Sequence, residues 1–417
     1  MRIIRSLFAP ALIVLLAACG TSVTTTQLQP ALFVLPEIYS FTATPKTLPP
    51  GGGVVTLSWD VDALKVSIDN GIGVVTKQTS VTVNLTQSTI FKLTATNRTV
   101  TNNAWVSVIV EITPIFVNPL TGNDTNAGTD AAPFKTLAKA LSVARSGQVV
   151  NLQDGTYSRS SGENFDTFVP DGVTVQAVNS GRVVLVGNVN SVGLQFAGSG
   201  IARGLTLKCF EIGITTRQGV QTLSNLTLTQ NLNGVDIFGT AQTSVERSSI
   251  NANQEAGIVM DGANNTLRFT DGTISGNNYG IAMTNGGNLV VYNSNLNNNA
   301  MSGIQAGNSY ANPPVQVLIR LRNTQITNNG TGISLLPSLG VLDLGKAWDL
   351  GGNTFQGNTL SGIYARGHDF QPVQAVGNTW NPYTQGADAF GHYTASQSVS
   401  GAASGLNYTL ESSGIQF

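Results

Sequence analysis

The second half of the chain repeats one pattern of apolar and polar positions. A glycine followed by isoleucine or valine recurs every 21 to 30 residues, beginning at Gly213, Gly234, Gly257, Gly280, Gly303, Gly332 and Gly362. Around each pair, apolar and polar residues alternate in three short stretches, which is the period of a β-strand. A unit of this length cannot bury its own apolar face, so neighbouring units have to stack to form a core. The pattern predicts a parallel β-helix with three strands in each coil, and it lacks the 3.6-residue period of helical repeats.

Three apolar columns define the expected core of this β-helix. The first lies six or seven residues before each Gly–Ile or Gly–Val pair from the second pair onward: Leu228, Ile250, Ile274, Leu296, Ile326 and Phe355. The second lies five residues earlier: Leu223, Val245, Phe269, Val291, Leu321 and Leu350. The third lies two residues after the isoleucine or valine: Ile237, Met260, Met283, Ala306, Leu335 and Ala365. We expect every member of these columns to face the interior.

A regularly spaced asparagine marks one corner of each coil. It follows each member of the first column by three residues, at Asn231, Asn253, Asn277, Asn299, Asn329 and Asn358. In a stack these side chains are separated by the spacing of paired strands, ~4.8 Å, and an amide can bond to the coil above and to the coil below. Asparagine tolerates the left-handed backbone of a sharp turn, and glycine tolerates such a backbone or a crowded corner. We therefore interpret these residues as a structural ladder and not as a site of chemistry.

Residues 36–114 show a different pattern. Short alternating stretches such as TLSWDV and IFKLTATN are separated by Gly, Pro and Asn turns, which predicts a β-sandwich. The TLSW stretch around Trp59, followed by VSIDNGIG and STIFKLTATN, resembles the Ig-like modules of bacterial surface proteins. The cysteine pair of antibody domains is missing from these residues, so Trp59 is expected to pack on aliphatic side chains. The resemblance implies a spacer or adhesion role for this module.

Residues 116–158 connect the two patterns. Behind Thr136, apolar residues recur at helical spacing, which predicts one short amphipathic helix over about residues 136–145: Leu137, Leu141 and Ala144. Residues 116–158 contain, in order, the segments GND, GT and PFKT, the helix, and a first strand that ends in GTY. This order resembles the N-terminal cap of right-handed parallel β-helix proteins. In that family the helix closes the end of the solenoid, and we expect the same role here.

The expected fold class is all-β, with a small Ig-like β-sandwich followed by a capped right-handed parallel β-helix. The solenoid is expected to be pectate-lyase-like and to occupy residues 115–417. A C-terminal cap is expected over about residues 377–417, with Trp380 and Phe390. Without a cap, that end would expose the edges of paired strands and invite polymerisation.

Residues 1–18 are interpreted as an export signal that is separate from the fold. Two arginines precede an apolar run, residues 7–16, that is too short to span a bilayer. The run ends in LAAC, which resembles the lipobox of bacterial lipoproteins, with Cys19 as the residue that receives the lipid. The resemblance implies an anchor of several acyl chains and a tether over residues 19–35, and Gly20 after the cysteine implies the outer membrane. An ordinary signal peptide with a chance cysteine is the alternative.

The composition limits the partners and the sources of stability. The chain has 21 basic and 22 acidic side chains, and 10% of its residues are charged. The sequence has no basic stripe that could bind nucleic acid by counterion release. Besides Cys19 the chain has one cysteine, Cys209, which is expected to be a buried, inert thiol beside a strand. Because an intramolecular disulfide is not expected, packing and hydrogen bonds have to stabilise the fold.

One outward-facing cluster could carry chemistry. Counted from their Gly–Ile or Gly–Val pairs, Asp236 and Asp261 occupy outward positions of consecutive coils, and Arg217 on the preceding coil is expected to flank Asp236. The two carboxylates are expected to be diagonal neighbours about 8 Å apart. This arrangement suits a catalytic or calcium-dependent sugar site, and the alternative is a surface ion pair that contributes little. The Asp-Asp pair and the Asn-Thr-Asp and Ser-His-Gly motifs of pectin-cleaving β-helix hydrolases are missing from the sequence.

Two further groups of residues are candidates for binding. Asp124 and Asp130 lie among amides in GNDTNAGTD and could coordinate calcium, although an Asx-rich turn explains them equally well. The two longest coils carry insertions at residues 308–316 and 337–347. Nearby side chains could form a lip on which sugar rings stack: Tyr310, Tyr364 and His368. Apart from calcium, no cofactor is expected.

These features together predict a cell-envelope lipoprotein with a non-catalytic, structural or adhesive role at the surface, which could include glycan binding. The alternative is a polysaccharide lyase or glycoside hydrolase that acts on an acidic or cell-surface polysaccharide around Asp236. The expected partners are a membrane, through the lipid anchor, and a polysaccharide or another envelope protein. Both the outward-facing and the periplasmic orientation remain open at this point.

Overall fold

A computed structural model of the chain describes residues 35–165, 167–307, 315–336, 338–346, 348–365, 369–370, 375, 377–380 and 399–400. The chain divides into two compact units between Glu111 and Ile112. Several residues that the sequence analysis singled out lie outside the described ones: Cys19, Tyr310, His368 and Phe390. In the described part of the chain, no helix has the length and hydrophobicity that crossing a bilayer requires.

The first unit consists of two β-sheets around one core. Its strands are β1 (Glu37–Thr44), β2 (Thr47–Leu48), β3 (Gly53–Asp62), β4 (Lys65–Ile68), β5 (Gly73–Val74), β6 (Ser80–Leu85), β7 (Thr89–Asn97) and β8 (Val100–Val110). Among the described residues, one sheet has the order β1-β3-β6 and the other has the order β2-β8-β7-β4-β5. Leu57 of β3 and Leu93 of β7 are completely buried, and Trp59 packs in the same core. The Ig-like assignment of this unit stays a prediction.

The second unit is a solenoid whose described strands form three parallel sheets, named sheets 1 to 3. Sheet 1 contains β9 (Ile115–Val117), β10 (Val149–Leu152), β13 (Val173–Ala177), β16 (Gly200–Arg203), β19 (Val220–Ser224), β22 (Gln242–Glu246), β25 (Thr266–Thr270), β28 (Gly287–Tyr292), β31 (Val315–Arg322), β34 (Ser338–Asp343) and β37 (Asp369–Phe370). Sheet 2 contains β11 (Gly155–Ser158), β14 (Val183–Val186), β17 (Leu205–Lys208), β20 (Thr227–Thr229), β23 (Ser249–Asn251), β26 (Thr273–Ser275), β29 (Asn295–Asn297), β32 (Gln325–Thr327), β35 (Thr354–Gln356) and β38 (Thr379–Trp380). Sheet 3 contains β12 (Phe168–Val169), β15 (Val192–Phe196), β18 (Ile212–Thr216), β21 (Asn233–Phe238), β24 (Ala256–Asp261), β27 (Tyr279–Met283), β30 (Ser302–Ala306), β33 (Thr331–Leu335), β36 (Ser361–Ala365) and β39 (Val399–Ser400).

Each strand pairs with the equivalent strand of the next coil, so like residues stack. Ile258, for example, lies in register between Val235 of the preceding coil and Ile281 of the following one. All six members of the first apolar column are completely buried. The prediction of an all-β parallel solenoid with three strands in each coil is therefore confirmed.

One member of the second apolar column was predicted wrongly. Leu350 is 60% exposed, whereas Leu344 is completely buried. Ile319 pairs in register with Leu342. Leu344, two residues further on, is therefore the equivalent of Leu321 in the next coil and occupies its inward position. The residues between Leu344 and β35 form an extra loop, and this insertion shifts the spacing on which the prediction depended.

The six ladder asparagines form one buried column between sheets 2 and 3. Each is at most 2% exposed, and each amide nitrogen from Asn231 to Asn329 donates to the Oδ1 atom of the next asparagine at 2.9 or 3.0 Å. The same oxygen accepts the backbone N–H of that preceding asparagine. The left-handed backbone lies one residue earlier than expected, at positions such as Ala252 and Asn298. The ladder residues themselves therefore serve as hydrogen-bonding groups and do not form the turn.

The glycine of each Gly–Ile pair is required by close packing. A Cβ atom on Gly257 would lie 2.7 Å from the carbonyl oxygen of Gly280 and 3.2 Å from Nδ2 of Asn277. Any larger side chain would therefore push the glycine column away from the asparagine ladder. Of the two roles expected for glycine, a crowded corner is the one found here.

A short helix, α1 (Leu137–Val143), covers the N-terminal end of the solenoid core with its buried residues Leu137, Ala140 and Leu141. The buried carboxylate of Glu163 accepts the backbone N–H groups of Leu137 and Ala138 at 2.7 and 2.9 Å. These bonds satisfy donors that the first turn of a helix leaves free, and the negative charge complements the helix dipole. A 3₁₀-helix, Arg159–Ser161, precedes this glutamate. At the other end, Trp380 stacks on Phe355 with ring centroids 4.2 Å apart.

Candidate functional site

A polar groove of about 660 Å³ runs across the outer face of sheet 1. Glu246, Thr270, Tyr292 and Arg322 lie in register at the C-terminal ends of four consecutive strands, β22, β25, β28 and β31. The row therefore spans three strand spacings, or ~14 Å. The turn residues that follow these strands and the loop after Leu344 form its sides. This site was not predicted from the sequence.

A network of ion pairs holds one side of the sheet 1 groove. Arg322, which is 5% exposed, donates to Asp343 Oδ1 at 2.8 Å and to Asp349 Oδ2 at 2.5 Å. Arg320 donates to the other oxygen of Asp343 at 3.0 Å. The hydrogen bond from the Arg322 guanidinium holds the pKa of Asp349 below its ordinary value. The loop that carries Asp349 is thereby fixed to the end of β31.

One aromatic ring and an arginine line the same groove. The guanidinium of Arg268 lies 4.8 Å from the ring centroid of Tyr292, a cation–π distance. Arg268 has no ion pair within the described ranges, so its donors remain available to a ligand. Trp348 precedes Asp349 in the loop and is 84% exposed. The groove thus combines charged hydrogen-bonding groups with the half-buried ring of Tyr292, and Trp348 adds exposed aromatic surface in the adjoining loop.

A second candidate site lies on the outer face of sheet 3, around Asp236. This side chain is 5% exposed. Its Oδ2 atom accepts a long hydrogen bond of 3.4 Å from Asn233, and Oδ1 is buried with no partner among the described residues. Burial raises the pKa of Asp236 to about 7, and the negative charges of Asp261 and Glu211 act in the same direction, against the bond from Asn233. A carboxyl group in this state exchanges its proton near neutral pH.

The neighbours of Asp236 differ in part from the expectation. Asp261 pairs in register with Phe238, which makes it a diagonal neighbour of Asp236, and it accepts a hydrogen bond from Asn285. Arg217 does not pair with Asp236 in the described structure; its guanidinium lies 5.1 Å from the ring centroid of Phe238. Burial disfavours the charged form of the Asp236 carboxyl, so an exposed arginine gains little from it, and the ring offers an alternative contact.

Asp124 and Asp130, the proposed calcium residues, accept hydrogen bonds from residues near the start of the second unit. Asp124 Oδ1 accepts the backbone N–H groups of Lys135 and Thr136, and Oδ2 accepts the Thr136 hydroxyl, all at 2.9 Å. Asp130 accepts a bond of 2.8 Å from Gln153. In the described part of the chain, no three His, Cys, Asp or Glu side chains are grouped so that they could hold a metal ion.

Tyr364, expected in a sugar-binding lip, lies in sheet 3 and is half-buried. It pairs with Ser334 and occupies the same outward row as Asp236, five coils further along. The separation is therefore ~24 Å. Tyr364 contributes neither to the Asp236 site nor to the lining of the sheet 1 groove. Cys209 is half-buried, not fully buried as expected, and has a left-handed backbone with φ of 63°.

Comparison with known proteins identifies the family. A family profile described as "Protein of unknown function (DUF1565)" matches residues 120–385, which is more than half of the 417 residues. The chain belongs to this family. Among the curated protein sequences compared with this DUF1565 chain, none matches it.

Solved structures with a similar fold include a pectate lyase, Pel9A, which is 18% identical, with a TM-score of 0.48, over 65% of this chain and 77% of its own. The A-module of the Azotobacter vinelandii mannuronan C-5 epimerase AlgE4 is 16% identical, with a TM-score of 0.35, over 63% of this chain and 94% of its own. XylC, solved in complex with xylose, is 10% identical, with a TM-score of 0.41, over 64% of this chain and 69% of its own. These are similarities of fold.

Proposed function

We propose that this DUF1565 protein is a non-catalytic glycan-binding lipoprotein of the cell envelope, and that it binds a polysaccharide along the sheet 1 groove. The observation that carries the proposal is the groove itself, which Arg268 and Tyr292 line together with carboxylates such as Glu246 and Asp349. The exposed ring of Trp348 lies next to Asp349 in the adjoining loop. Closed pockets for small molecules are mostly apolar, whereas this groove is open and polar. An extended, hydroxyl-rich polymer fits such a surface.

The chemistry of the lining supports a sugar ligand. Carboxylates such as Glu246 accept hydrogen bonds from hydroxyl groups, and the Arg268 guanidinium donates to ring and hydroxyl oxygens. Exposed rings such as that of Trp348 offer flat apolar surface on which the C–H face of a sugar can stack. A pyranose ring is about as long as the distance between two coils, so successive sugars can contact successive coils in a repeated manner.

Affinity measurements on a glycan array test this proposal directly. Tyr292→Ala and Trp348→Ala are each expected to weaken binding about tenfold, because buried aromatic contacts dominate such interfaces. Phe168→Ala removes a ring that is 52% exposed in sheet 3, away from the groove, and serves as the matched control. If no glycan binds, or if all three variants behave alike, the groove is not the binding site.

The location of the protein is part of the same proposal. A lipid on Cys19 would attach the chain to the outer membrane through a tether ending near residue 35, as the lipobox resemblance implies. Detergent-phase partitioning of the unmodified protein should exceed that of Cys19→Ala. Equal partitioning of the two proteins would exclude the anchor.

A polysaccharide hydrolase or lyase is the second candidate function, because Asp236 has the burial and the pKa of about 7 that suit acid–base catalysis. Asp261, its diagonal neighbour, could supply the second carboxylate that hydrolysis requires. Release of reducing ends or unsaturated products should then occur with the unmodified protein and be lost in Asp236→Asn and Asp261→Asn. Lack of release from every glycan tested would exclude this function for those substrates.

A further inference from the structure

Strand β6 of the first unit has an open edge. It pairs with β3 on one side, and no described strand pairs with its other side. The Trp59 N–H donates to the carbonyl of Thr79 at 2.9 Å, so residues of odd number along β6 direct their backbone groups toward β3. Because these directions alternate in an antiparallel pair, the backbone groups of Ser80, Thr82 and Asn84 point to the open edge.

A groove of about 810 Å³ lies beside this edge. Val81, Val83 and Leu85 of β6 line it and are only half-buried, although they face the interior of the sandwich. In contrast, Phe91 of the opposite sheet is 1% exposed. The sandwich is therefore incomplete along β6, with both hydrogen-bonding groups and apolar side chains available to another strand.

The sequence of β6, SVTVNL, has none of the features that usually protect a sheet edge. Edge strands are commonly blocked by charged residues, particularly lysine, or by proline. The six residues of β6 are all uncharged and include no proline. Two copies of this strand could therefore approach each other without placing like charges side by side.

We propose that β6 pairs antiparallel with β6 of a second copy of this protein, around a two-fold axis through Val83. In this register Val83 faces its own equivalent, Val81 faces Leu85 of the second copy, and Thr82 faces Asn84 of the second copy. All three apolar side chains of each strand then meet apolar partners above the joined grooves. The result is one continuous sheet of six strands, β1-β3-β6 followed by its symmetry equivalent.

The directions of the backbone groups select this register. Thr82 and Asn84 both present their N–H and C=O groups to the open edge. Thr82 of one copy therefore exchanges two hydrogen bonds with Asn84 of the other copy, and the two-fold axis generates a second such pair. Sliding one strand by a single residue would place polar side chains on the face where the other strand has its apolar ones. A shift of the axis to Thr82 would place Leu85 opposite Thr79, and a shift to Asn84 would place Val81 opposite Gln87. The axis through Val83 is therefore the one of these three at which every apolar side chain of this edge meets an apolar partner in the second copy.

Disulfide trapping tests the register. A non-hydrogen-bonded antiparallel pair has Cα atoms ~4.5 Å apart, which lies within the range that a disulfide bridges. In a background of Cys19→Ser and Cys209→Ser, the full chain carrying Val83→Cys should form a covalent dimer under mild oxidation. Val74→Cys is the matched control, because Val74 is a 62% exposed valine at the edge of the other sheet. Equal cross-linking of the two variants, or none with Val83→Cys, would overturn the proposal.

A proline substitution tests the hydrogen bonds independently of any thiol. Asn84→Pro removes an N–H that points to the open edge and leaves the ladder between β3 and β6 intact. The dimer dissociation constant measured by sedimentation should rise about tenfold, because one hydrogen bond is lost from each copy. A monomeric unmodified protein at every concentration, or an unchanged dissociation constant in Asn84→Pro, would refute pairing through β6. Neither result depends on glycan binding.

Discussion

Replacing Asp236 by asparagine should stabilise the solenoid at alkaline pH relative to the unmodified protein. The carboxyl is 5% exposed and one of its oxygens has no partner among the described residues. Ionising such a group in the folded state places an uncompensated charge in a medium of low polarity. Asparagine has nearly the same shape and carries no charge at any pH. The substitution therefore isolates the cost of ionisation from the effects of packing.

The magnitude follows from the raised pKa. The pKa of Asp236 rises from 3.8 to about 7 on folding, so this group stabilises the fold fully below pH 3.8, and its contribution is lost as the pH rises toward 7. Each unit of difference corresponds to ~1.4 kcal/mol. Between pH 5 and pH 8, the unmodified protein should lose about 2 to 3 kcal/mol of unfolding free energy from this site. Asp236→Asn should not lose it.

The assay is urea unfolding at pH 5 and pH 8, followed by circular dichroism. From pH 5 to pH 8, the unfolding free energy of Asp236→Asn should rise by about 2 to 3 kcal/mol relative to that of the unmodified protein. Asp271→Asn, which removes an exposed carboxylate, is the control for the loss of one negative charge. If Asp236→Asn has the same pH dependence as the unmodified protein, the reasoning about a buried, unpartnered carboxyl is wrong.

Three further substitutions probe the ladder, the start of helix α1 and the groove. Asn277→Ala removes the acceptor of two Asn253 donors and should lower the unfolding free energy by about 3 kcal/mol. The control, Asn297→Ala on the outer face, should lower it by less than about 0.5 kcal/mol. Equal losses in the two variants would contradict a special role for the ladder. Glu163→Gln should cost about 1 kcal/mol, because the helix start loses a facing charge, and a thermal midpoint identical to the unmodified one would refute that role. Arg322→Lys should weaken glycan binding about tenfold in an affinity assay, because a lysine cannot bond both aspartates of the network in the same geometry. Full affinity in this variant would show that the ion-paired loop does not shape the groove.

The repeated parts of the fold could be predicted because their signals are local and periodic. Ile258 and Asn277 are recognisable from their spacing to the nearest Gly–Ile pair, and stacking in register then brings like residues together. The same reasoning failed at Leu350, where an insertion changes the spacing without leaving a signal in the apolar pattern. Periodicity predicts what each coil shares with its neighbours, and it does not predict where a coil departs from them.

The groove was missed for a related reason. Glu246, Thr270, Tyr292 and Arg322 each follow a member of the second apolar column by one residue, so the alignment that gave the inward column also contains the outward row. The alignment of the coils does not predict the position of Asp349, because that position depends on an ion pair with Arg322, 27 residues away in the chain. Burial of Asp236 was likewise not evident, because an outward position in a strand gives no information about how far neighbouring side chains cover it.

The regularity of the scaffold limits where this family can vary. The asparagine ladder and the glycine column require each coil to follow the one before it closely. A Cβ at Gly257 would collide with the following coil, and an amide lost at Asn277 would remove bonds to both neighbouring coils. Extra residues are therefore accommodated at corners. In the two longest coils they fall between β30 and β31 and between β34 and β35, which are the two ends of the sheet 1 strands. Sheet 1 is consequently the face whose borders can change while the stack remains intact, and a groove bounded by such loops can acquire a new ligand without any change in the core.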